Sequence, residues 1–400
     1  MEKMDDMVLV MEERKEAPRR MPNKPIKPDR ENEPKKEKPK RAKKSKKGLA
    51  GKIALYAGTV FVFVLACVII ACYVLLNGPS TTMRDALVLS AKQASATKWI
   101  PGLFLDEALV QQIEANSKTV TYDVISMEDV APPQNEEQEK DEWADAIDGI
   151  RLDIIQKPAF KGYMLMIKDP TRVFVGTSSD FKSGREGIRI FDAADKYQAV
   201  CAINGGEFPD GAGVGNGGTP IGITYSQGKL VFSGHTNRTF MGLTNDNKLI
   251  VSEGMTQARA QELGIRDGVC FQTGNCLITN DGQNMTLHYS DKNTGRAQRT
   301  AIGQRADGTI LMLVTDGRTA SSLGATHNDL IEVMLEYGAT AAGKLDGGSS
   351  AMMYYRDYFD LYGIDKATLD EYGRRGLVNT YKAFSPPRKL PTFFIVGGAN

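Results

Sequence analysis

The longest apolar stretch of the chain runs from Ile53 to Leu76 and contains neither a charged residue nor a proline. As an α-helix it would extend about 36 Å, enough to cross a hydrocarbon core of about 30 Å with some tilt. A buried helix of a soluble protein carries a polar stripe, whereas this segment is apolar on every side. The pattern therefore predicts one transmembrane helix over residues 53–76.

Charge differs sharply between the two sides of this segment. Residues 14–52 contain 17 Lys and Arg, and residues 1–52 carry a net charge of about +8, which leaves about −7 for the rest. By the positive-inside rule, the tail is cytoplasmic and the C-terminal part is extracellular, in a single-pass protein of the cell membrane. A cleaved signal peptide and a lipoprotein acylated on Cys67 or Cys72 are alternatives, but each would follow a short basic segment rather than about fifty residues.

The tail over residues 1–52 is rich in Lys, Glu and Pro and poor in large apolar residues, so it is expected to be disordered. Topology and attraction to anionic lipid explain its charge, at about 1 kcal/mol per basic residue near the membrane surface. It contains no aromatic residues that could stack on bases. No nucleic-acid partner is therefore expected.

Residues 77–127 are predicted to form a helical stalk. Apolar residues at helical spacing favour helices over 80–97 and over 105–113, separated by a break at Pro101-Gly102. A coiled coil is an alternative, although the segment holds too few heptads to support it. Residues 128–142, with two prolines and many Gln and Glu, are typical of a flexible acidic linker.

Residues 143–400 have the pattern of one domain built mainly from β-hairpins. Four pairs of short apolar segments flank turn sequences: 162–167 with 172–175, 222–225 with 229–232, 238–243 with 248–251, and 300–304 with 309–315. Two helices are predicted among them, over 256–263 and 328–337, the second with Thr326 as its N-cap and Gly338 after its C-terminal end. The predicted fold class is α+β, a largely antiparallel mixed sheet domain with a few helices.

Cysteine and histidine are too sparse for several common kinds of site. Cys201 is expected in the core, and Cys270 and Cys276 could form a disulfide or stay free. His235 is a weak candidate for a site, and no histidine has the spacing of a zinc ligand or belongs to a recognisable triad. Few cysteines in an extracytoplasmic domain also favour a bacterial surface over a eukaryotic secretory protein.

Polar clusters follow or interrupt apolar strands at four places, residues 203–208, 299–303, 311–318 and 344–350. Each alone has an ordinary explanation, since Asp-Gly is a turn signal. Together they supply carboxylates, arginines and small loops at strand ends, where sites on a rigid scaffold usually lie. The glycines of 205–218 do not form a dinucleotide fingerprint, because a strand follows them where a helix would be required.

Four of these segments, in this order, resemble the signature of the phosphodiester glycosidase family: Asn204-Gly205-Gly206-x-Phe208, Arg299-Thr300-Ala301-Ile302-Gly303, Thr315-Asp316-Gly317-Arg318 and Leu345-Asp346-Gly347-Gly348-Ser349-Ser350. The resemblance covers roughly residues 150–398. It implies a mixed α+β fold, an extracytoplasmic setting and cleavage of a sugar-1-phosphate diester. Glu207 departs from the aromatic residue usual at that place, which leaves open whether it is a wall residue or an added acid.

The residue types suit that chemistry. Arg299 and Arg318 are expected to bind the phosphate, because a guanidinium recognises phosphate oxygens with two parallel hydrogen bonds. Asp346 is the first choice for the nucleophile or base that an oxocarbenium-like transition state needs, Asp316 is the second, and Glu207 is a candidate acid. The other candidates would bind sugar hydroxyls or phosphate oxygens: Asn204, Gly205, Gly206, Thr300, Gly347, Gly348, Ser349 and Ser350.

The sequence thus predicts a membrane-anchored hydrolase that cleaves the glycosidic bond of a sugar-1-phosphate diester in an envelope or exported polysaccharide. The alternatives are a transferase of phospho-sugar polymers and a non-catalytic domain that binds a polysaccharide or a partner. No cofactor is expected, although a divalent metal held by Asp210, Asp316 or Asp346 stays an alternative. The sugar, the stereochemical course and the oligomeric state are left open.

Overall fold

The computed structural model describes residues 46–78, 80–92, 97–116, 120–127, 142–181, 185–211, 215–290, 295–319, 321–381 and 386–399. Most of the predicted tail and all but the last residue of the predicted acidic linker, 128–142, lie outside these residues. Helix α1 spans Lys46–Asn77 and contains the predicted transmembrane segment. Among the described residues it is the one helix long and apolar enough to cross a membrane, over Lys52–Asn77.

Two short helices follow α1, as predicted for this part of the chain. They are α2 (Thr81–Lys92) and α3 (Glu107–Asn116), with a 3₁₀ turn at Pro101–Leu103 between them. Their apolar faces bury one small cluster together with the last turn of α1: Leu76, Val88, Leu89, Val110 and Ile113.

The strands of the remaining described chain form three sheets in which every named strand pair is antiparallel. The eight-stranded sheet has the order β1-β12-β11-β15-β13-β14-β3-β2. Its strands are β1 (Val120–Ser126), β2 (Ile150–Gln156), β3 (Lys161–Ile167), β11 (Cys276–Asn280), β12 (Asn284–Ser290), β13 (Arg299–Arg305), β14 (Ile310–Thr315) and β15 (Ala339–Lys344).

The two smaller sheets have the orders β7-β6-β10-β8-β9 and β16-β5-β17-β4. Their strands are β4 (Val173–Thr177), β5 (Cys201–Asn204), β6 (Thr224–Ser226), β7 (Lys229–Phe232), β8 (Thr239–Thr244), β9 (Leu249–Glu253), β10 (Ile265–Phe271), β16 (Met353–Tyr355) and β17 (Thr392–Val396). The domain's helices are α4 (Ile190–Tyr197), α5 (Gln257–Glu262), α6 (His327–Glu336) and α7 (Tyr358–Leu361). The predicted α+β fold class is confirmed.

The main core lies between one face of the large sheet and the two smaller sheets, while α6 covers the opposite face. Helix α6 begins as predicted at Thr326, whose Oγ1 accepts a hydrogen bond from the Asp329 backbone N–H at 3.1 Å. The Asp329 carboxylate accepts one in return from the Thr326 N–H at 2.8 Å, which completes a capping box. Gly338 ends the helix at φ +76°, a conformation that favours glycine.

Three of the four predicted hairpins are confirmed, as β6–β7, β8–β9 and β13–β14. The first is wrong, because β3 pairs with β2 and β14, whereas β4 pairs with β17 in a different sheet. The 3₁₀ turn at Pro170–Arg172, capped by the Asp169 side chain, carries the chain from one sheet to the other. The turn is where the sequence predicts it, but its two flanking strands belong to different sheets.

The predicted stalk, residues 77–127, differs from the structure at its C-terminal end. Residues 120–126 form β1, which pairs along its whole length with β12 at the edge of the large sheet. This segment is rich in β-branched and aromatic residues, and Ile125 packs against the α6 side of the sheet. The sheet therefore begins before the predicted linker.

The register of the large sheet brings separate motifs to one edge. Strand β13 runs antiparallel to both β14 and β15, so that Arg299, at its start, lies opposite Thr315, at the end of β14. Ala301 lies opposite Lys344, at the end of β15. The loops that follow β14 and β15 consequently lie beside the start of β13.

Candidate active site

Asn204, the last residue of β5, joins three of the four motifs. Its side chain is fully buried, and its Oδ1 accepts hydrogen bonds from Thr300 Oγ1 at 2.7 Å and from the Met352 N–H at 3.1 Å. Its Nδ2 donates to the Asp346 backbone carbonyl at 2.7 Å. One amide thus fixes the start of β13 and the loop after β15 against the end of β5.

Asp346 lies in the loop that Asn204 holds. Its backbone N–H donates to the Gly205 carbonyl at 3.3 Å, and its Oδ1 accepts a hydrogen bond from the Gly347 N–H at 2.9 Å. Burial raises the pKa of Asp346 to about 7, although Ser350 and Arg388 oppose that shift. This carboxyl group therefore changes charge near neutral pH, as a catalytic acid or base needs to do.

The two glycines after Asp346 are required by close packing. A Cβ on Gly347 would lie 2.8 Å from the Gln298 carbonyl oxygen, and Gly348 adopts φ +61°. The Gly348 N–H donates to the same carbonyl at 2.9 Å. The loop therefore lies directly against the backbone that precedes Arg299.

Arg299 and Arg318 are close enough for their charges to interact. Arg299 is buried and donates from Nε to the Ala325 carbonyl at 3.1 Å and from Nη2 to the Gly295 carbonyl at 2.5 Å. Burial lowers its pKa to about 10, and the charge of Arg318 adds to that shift. Burial also lowers the pKa of Arg318, whose Nη1 would lie 3.8 Å from a Cβ built on Gly348.

Two further basic side chains, Lys344 and His327, are buried near Arg299. Burial and the charge of Arg299 lower the pKa of Lys344. Burial and Lys344 lower the pKa of His327 to about 3, so this imidazole is neutral at ordinary pH. Neither residue was predicted for the site, because in the sequence Lys344 only ends a strand and His327 only follows an N-cap.

Asp316 is buried, and both of its carboxylate oxygens have partners. Oδ2 accepts a hydrogen bond from Tyr163 Oη at 3.1 Å, and Oδ1 accepts one from the Thr380 N–H at 2.9 Å. Burial raises its pKa. The carboxylate thus ties β3 to the segment that contains Thr380 and Tyr381.

Glu207 points its carboxylate at Arg238, whose Nε lies 3.3 Å from Oε2. Burial raises the pKa of Glu207, and Arg238 opposes the shift. Its backbone belongs to the Asn204 motif, but its side chain interacts with Arg238, His235 and Gln272. The choice between a wall residue and an acid stays open.

Arg388 was missed by the sequence reasoning, although it touches two of the candidate loops. It donates to Ser349 Oγ at 3.3 Å, forms an ion pair with Asp210, and lies over the Phe208 ring at 5.0 Å from the centroid. Burial lowers its pKa, but Asp210 and Asp346 raise it by more. In the sequence it follows two prolines outside every motif, so nothing marked it.

A small cleft opens between these loops. Its walls come from the β13, β14 and β15 loops and from the segment held by Asp316: Gln298, Gly317, Arg318, Thr319, Gly348, Ser349, Ala351, Thr380 and Tyr381. Tyr381 Oη donates to the Ser349 carbonyl at 2.7 Å and so ties two parts of this lining together. Of the predicted site residues, Arg318, Gly348 and Ser349 line the cleft. Asn204 joins Thr300 and Asp346 next to it by hydrogen bonds rather than lining it.

The described residues contain no group of three His, Cys, Asp or Glu side chains placed to hold a metal ion. Of the three carboxylates considered as metal ligands, Asp210 pairs with Arg388 and Asp316 bonds to Tyr163 and Thr380. Cys270 and Cys276 are both buried and free, so the structure shows no disulfide between them.

A family model for phosphodiester glycosidases matches residues 197–396, half of the chain. The chain belongs to the phosphodiester glycosidase family. The matched residues include all four motifs that the sequence showed, so the resemblance is confirmed.

Three known proteins are similar to parts of this chain. The SPβ prophage-derived uncharacterized protein YomE of Bacillus subtilis strain 168 is 28% identical over 217 residues, 50% of this chain and 31% of that protein. The chain thus spans about a third of that relative's length. The catalytic domain of zebrafish N-acetylglucosamine-1-phosphodiester alpha-N-acetylglucosaminidase, auto-inhibited by its pro-peptide, aligns with a TM-score of 0.46 and 18% identity, over 70% of this chain and 89% of that one. A hypothetical protein from Synechocystis aligns with a TM-score of 0.41 and 14% identity, over 62% of each chain.

Proposed function

We propose that this family member is a membrane-anchored, extracytoplasmic hydrolase that cleaves the glycosidic bond of a sugar-1-phosphate diester of the cell envelope. The observation that carries the proposal is the placement of the Arg299–Arg318 pair beside the 346–350 loop, which Asn204 holds to β5. Paired guanidiniums suit a phosphodiester, and a carboxyl group that titrates near pH 7 suits glycoside cleavage. The basic tail and the apolar helix support the membrane setting and its orientation.

In the proposed reaction, water replaces the phosphate at the anomeric carbon. The bond between that carbon and the bridging oxygen breaks, the phosphate monoester leaves with the bond's electron pair, and the sugar keeps the hydroxyl from water. Since the leaving group is already an anion of low basicity, it needs charge neutralisation more than a proton. Arg318 and Arg299 supply that neutralisation, helped by the positive charge of Arg388.

Asp346 is assigned to the other side of the anomeric carbon, as the nucleophile or as the base for water. Asp316 fits a positioning role, because its carboxylate fixes Thr380 and the wall of the cleft. Asn204 likewise acts by position, through Thr300 and the Asp346 loop. Ser349, Ser350 and the glycine N–H groups are assigned to the sugar hydroxyls or phosphate oxygens.

The test incubates the full chain in detergent with a panel of sugar-1-phosphate diesters in water enriched with heavy oxygen. A fragment starting at residue 143 would lack β1, the edge strand of the large sheet, so the full chain is preferred. Label in the released sugar supports cleavage at the anomeric carbon. Label in the phosphate would instead indicate a phosphodiesterase, and an unlabelled phospho-sugar joined to an added acceptor would indicate a transferase.

The Arg318→Gln variant is expected to lose about 10²-fold in kcat/KM, since it removes a charge that binds the departing phosphate. Arg318→Lys should recover only part of that loss, because an ammonium cannot form the two parallel hydrogen bonds of a guanidinium. The matched control is Arg259→Gln, which removes an exposed arginine on α5. Steady-state kinetics on the best diester measures these effects. Equal kcat/KM for Arg318→Gln and the control would show that Arg318 does not belong to the proposed site.

A further inference from the structure

The segment between the apolar helix and the sheets is attached directly to the end of that helix. Leu76, in the last turn of α1, is buried in the cluster formed with α2 and α3. Asn77 Nδ2 donates to the Phe104 carbonyl at 3.4 Å. Residues around Phe104 therefore lie where the chain leaves the apolar helix.

Phe104 belongs to a compact turn over residues 97–105, which we call the interface turn. Backbone hydrogen bonds close it, from the Ile100 N–H to the Thr97 carbonyl at 2.9 Å and from the Leu103 N–H to the Ile100 carbonyl at 3.0 Å. Trp99 is nevertheless 61% exposed and Leu103 66% exposed. A well-ordered turn thus presents two large apolar side chains outward.

The bilayer is the occupant that best fits this surface. Tryptophan is enriched at the membrane–water interface, where its ring sits at the level of the lipid headgroups. The neighbouring Lys98 is exposed and can extend its ammonium group toward lipid phosphates. The hydrogen bond between Asn77 and Phe104 places the turn beside the end of the apolar helix.

The interface turn is also attached next to the candidate active site. Thr97 Oγ1 donates to the Ala91 carbonyl at 2.8 Å, and Arg318 Nη2 donates to the Ser90 carbonyl at 3.4 Å. These acceptors are consecutive residues of α2. The end of α2 also packs closely on the domain, since a Cβ on Gly295 would lie 2.2 Å from the Ser90 nitrogen.

We propose that the interface turn lies among the lipid headgroups of the membrane that α1 crosses and holds the active site against the bilayer, where it takes a sugar phosphodiester whose second ester group is a lipid. The substrate part rests on the proposed function, whereas the membrane contact does not. Helix α2 is about 18 Å long by its residue count, so the Ser90 carbonyl that accepts from Arg318 lies no more than about 18 Å from the start of α2, next to the end of α1. Water would release the free sugar and leave the lipid phosphate monoester in the membrane.

The membrane contact is tested by the fluorescence of Trp99 in the full chain reconstituted in phosphatidylcholine vesicles. The chain has two tryptophans, so Trp143→Phe leaves Trp99 as the reporter, and Trp99→Phe leaves Trp143 as the matched control. Lipids brominated on their acyl chains should quench Trp99 at least about twofold and leave Trp143 almost unchanged. An unquenched Trp99 overturns the proposal: water-like emission would place the ring in water, and blue-shifted emission would place it against a second copy of the chain.

The substrate class is tested in the same vesicles, with sugar phosphoryl polyprenols beside water-soluble diesters of the same sugars. Trp99→Ser combined with Leu103→Ser should lower kcat/KM for the lipid diester about tenfold and leave that for the soluble diester unchanged. The control is Ile154→Ser, which removes an exposed apolar side chain on β2. Turnover of soluble diesters alone, or an equal loss of kcat/KM on both substrates, overturns only the inference that the substrate is a lipid diester. Turnover of neither substrate refutes the proposed function, while the fluorescence result stands independently.

Discussion

The Asp346→Asn variant is expected to lose at least about 10³-fold in kcat and to keep the native fold. Asparagine matches aspartate in size and keeps an oxygen that can accept from the Gly347 N–H, so the loop should retain its conformation. It cannot act as a nucleophile toward the anomeric carbon or take a proton from water. Steady-state turnover of the best sugar phosphodiester, with circular dichroism as the check on folding, measures both effects.

The same variant should also show a pH-dependent gain in stability. Burial raises the folded-state pKa of Asp346 to about 7 from the ordinary aspartate value of 3.8, so the folded protein binds this proton more tightly than the unfolded chain. Its contribution to stability is therefore present at low pH and is lost as the pH rises from about 4 toward 7. Asparagine does not ionise, so Asp346→Asn should have a higher Tm than the wild type at pH 8. At pH 4 the two proteins should have nearly the same Tm.

Wild-type kcat/KM should in turn rise with pH through about 7, because the proposed role needs the carboxylate form of Asp346. Asp246→Asn is the matched control, since Asp246 lies exposed in the turn between β8 and β9. Retention of activity by Asp346→Asn, with the wild-type pH profile, would show that another group performs this step. Asp316 would then be the next residue to substitute.

The sequence was most informative where local signals sufficed. The apolar run of α1, the cap at Thr326 and three of the four hairpins were readable, because each depends on residues within a few positions of one another. The pairing of β1 with β12 and of β4 with β17 could not be predicted, because each pair joins segments far apart in the chain. Local propensity cannot choose among distant edges of a sheet.

The candidate site shows the same division. The motifs containing Asn204, Thr300 and Asp346 were recognised from their residue types and order, and the structure joins them by direct hydrogen bonds. Arg388 and Lys344 lie outside the recognised motifs, and only the fold brings them near Asp346 and Arg299 respectively. Charge clusters assembled from single residues on separate strands leave no pattern along the chain.

Asn204→Ala is expected to be the most destabilising substitution in the site, by about 3 kcal/mol or more. It removes four hydrogen bonds at once, the longest of them to the Gly205 carbonyl at 3.5 Å. It leaves Thr300 Oγ1, the Met352 N–H and the Asp346 carbonyl without the partner that Asn204 supplies. A buried polar group that loses its partner costs about 1–3 kcal/mol. In thermal unfolding of the full chain in detergent, this corresponds to a fall in Tm of roughly 6–12 °C for a domain of this size.

Thr300→Val removes only one of the hydrogen bonds of Asn204, whereas Asn204→Ala removes all of them. It removes the Thr300 hydroxyl but keeps the branched shape and the other bonds of Asn204, so the fall in Tm should be about a third of that for Asn204→Ala. Activity should follow the same order, because only Asn204→Ala removes the side-chain bond to the Asp346 carbonyl. Equal falls in Tm for the two variants would mean that the bond to Thr300 alone supports the site, and that the loop after β15 is held in place by its contact with Gln298 instead.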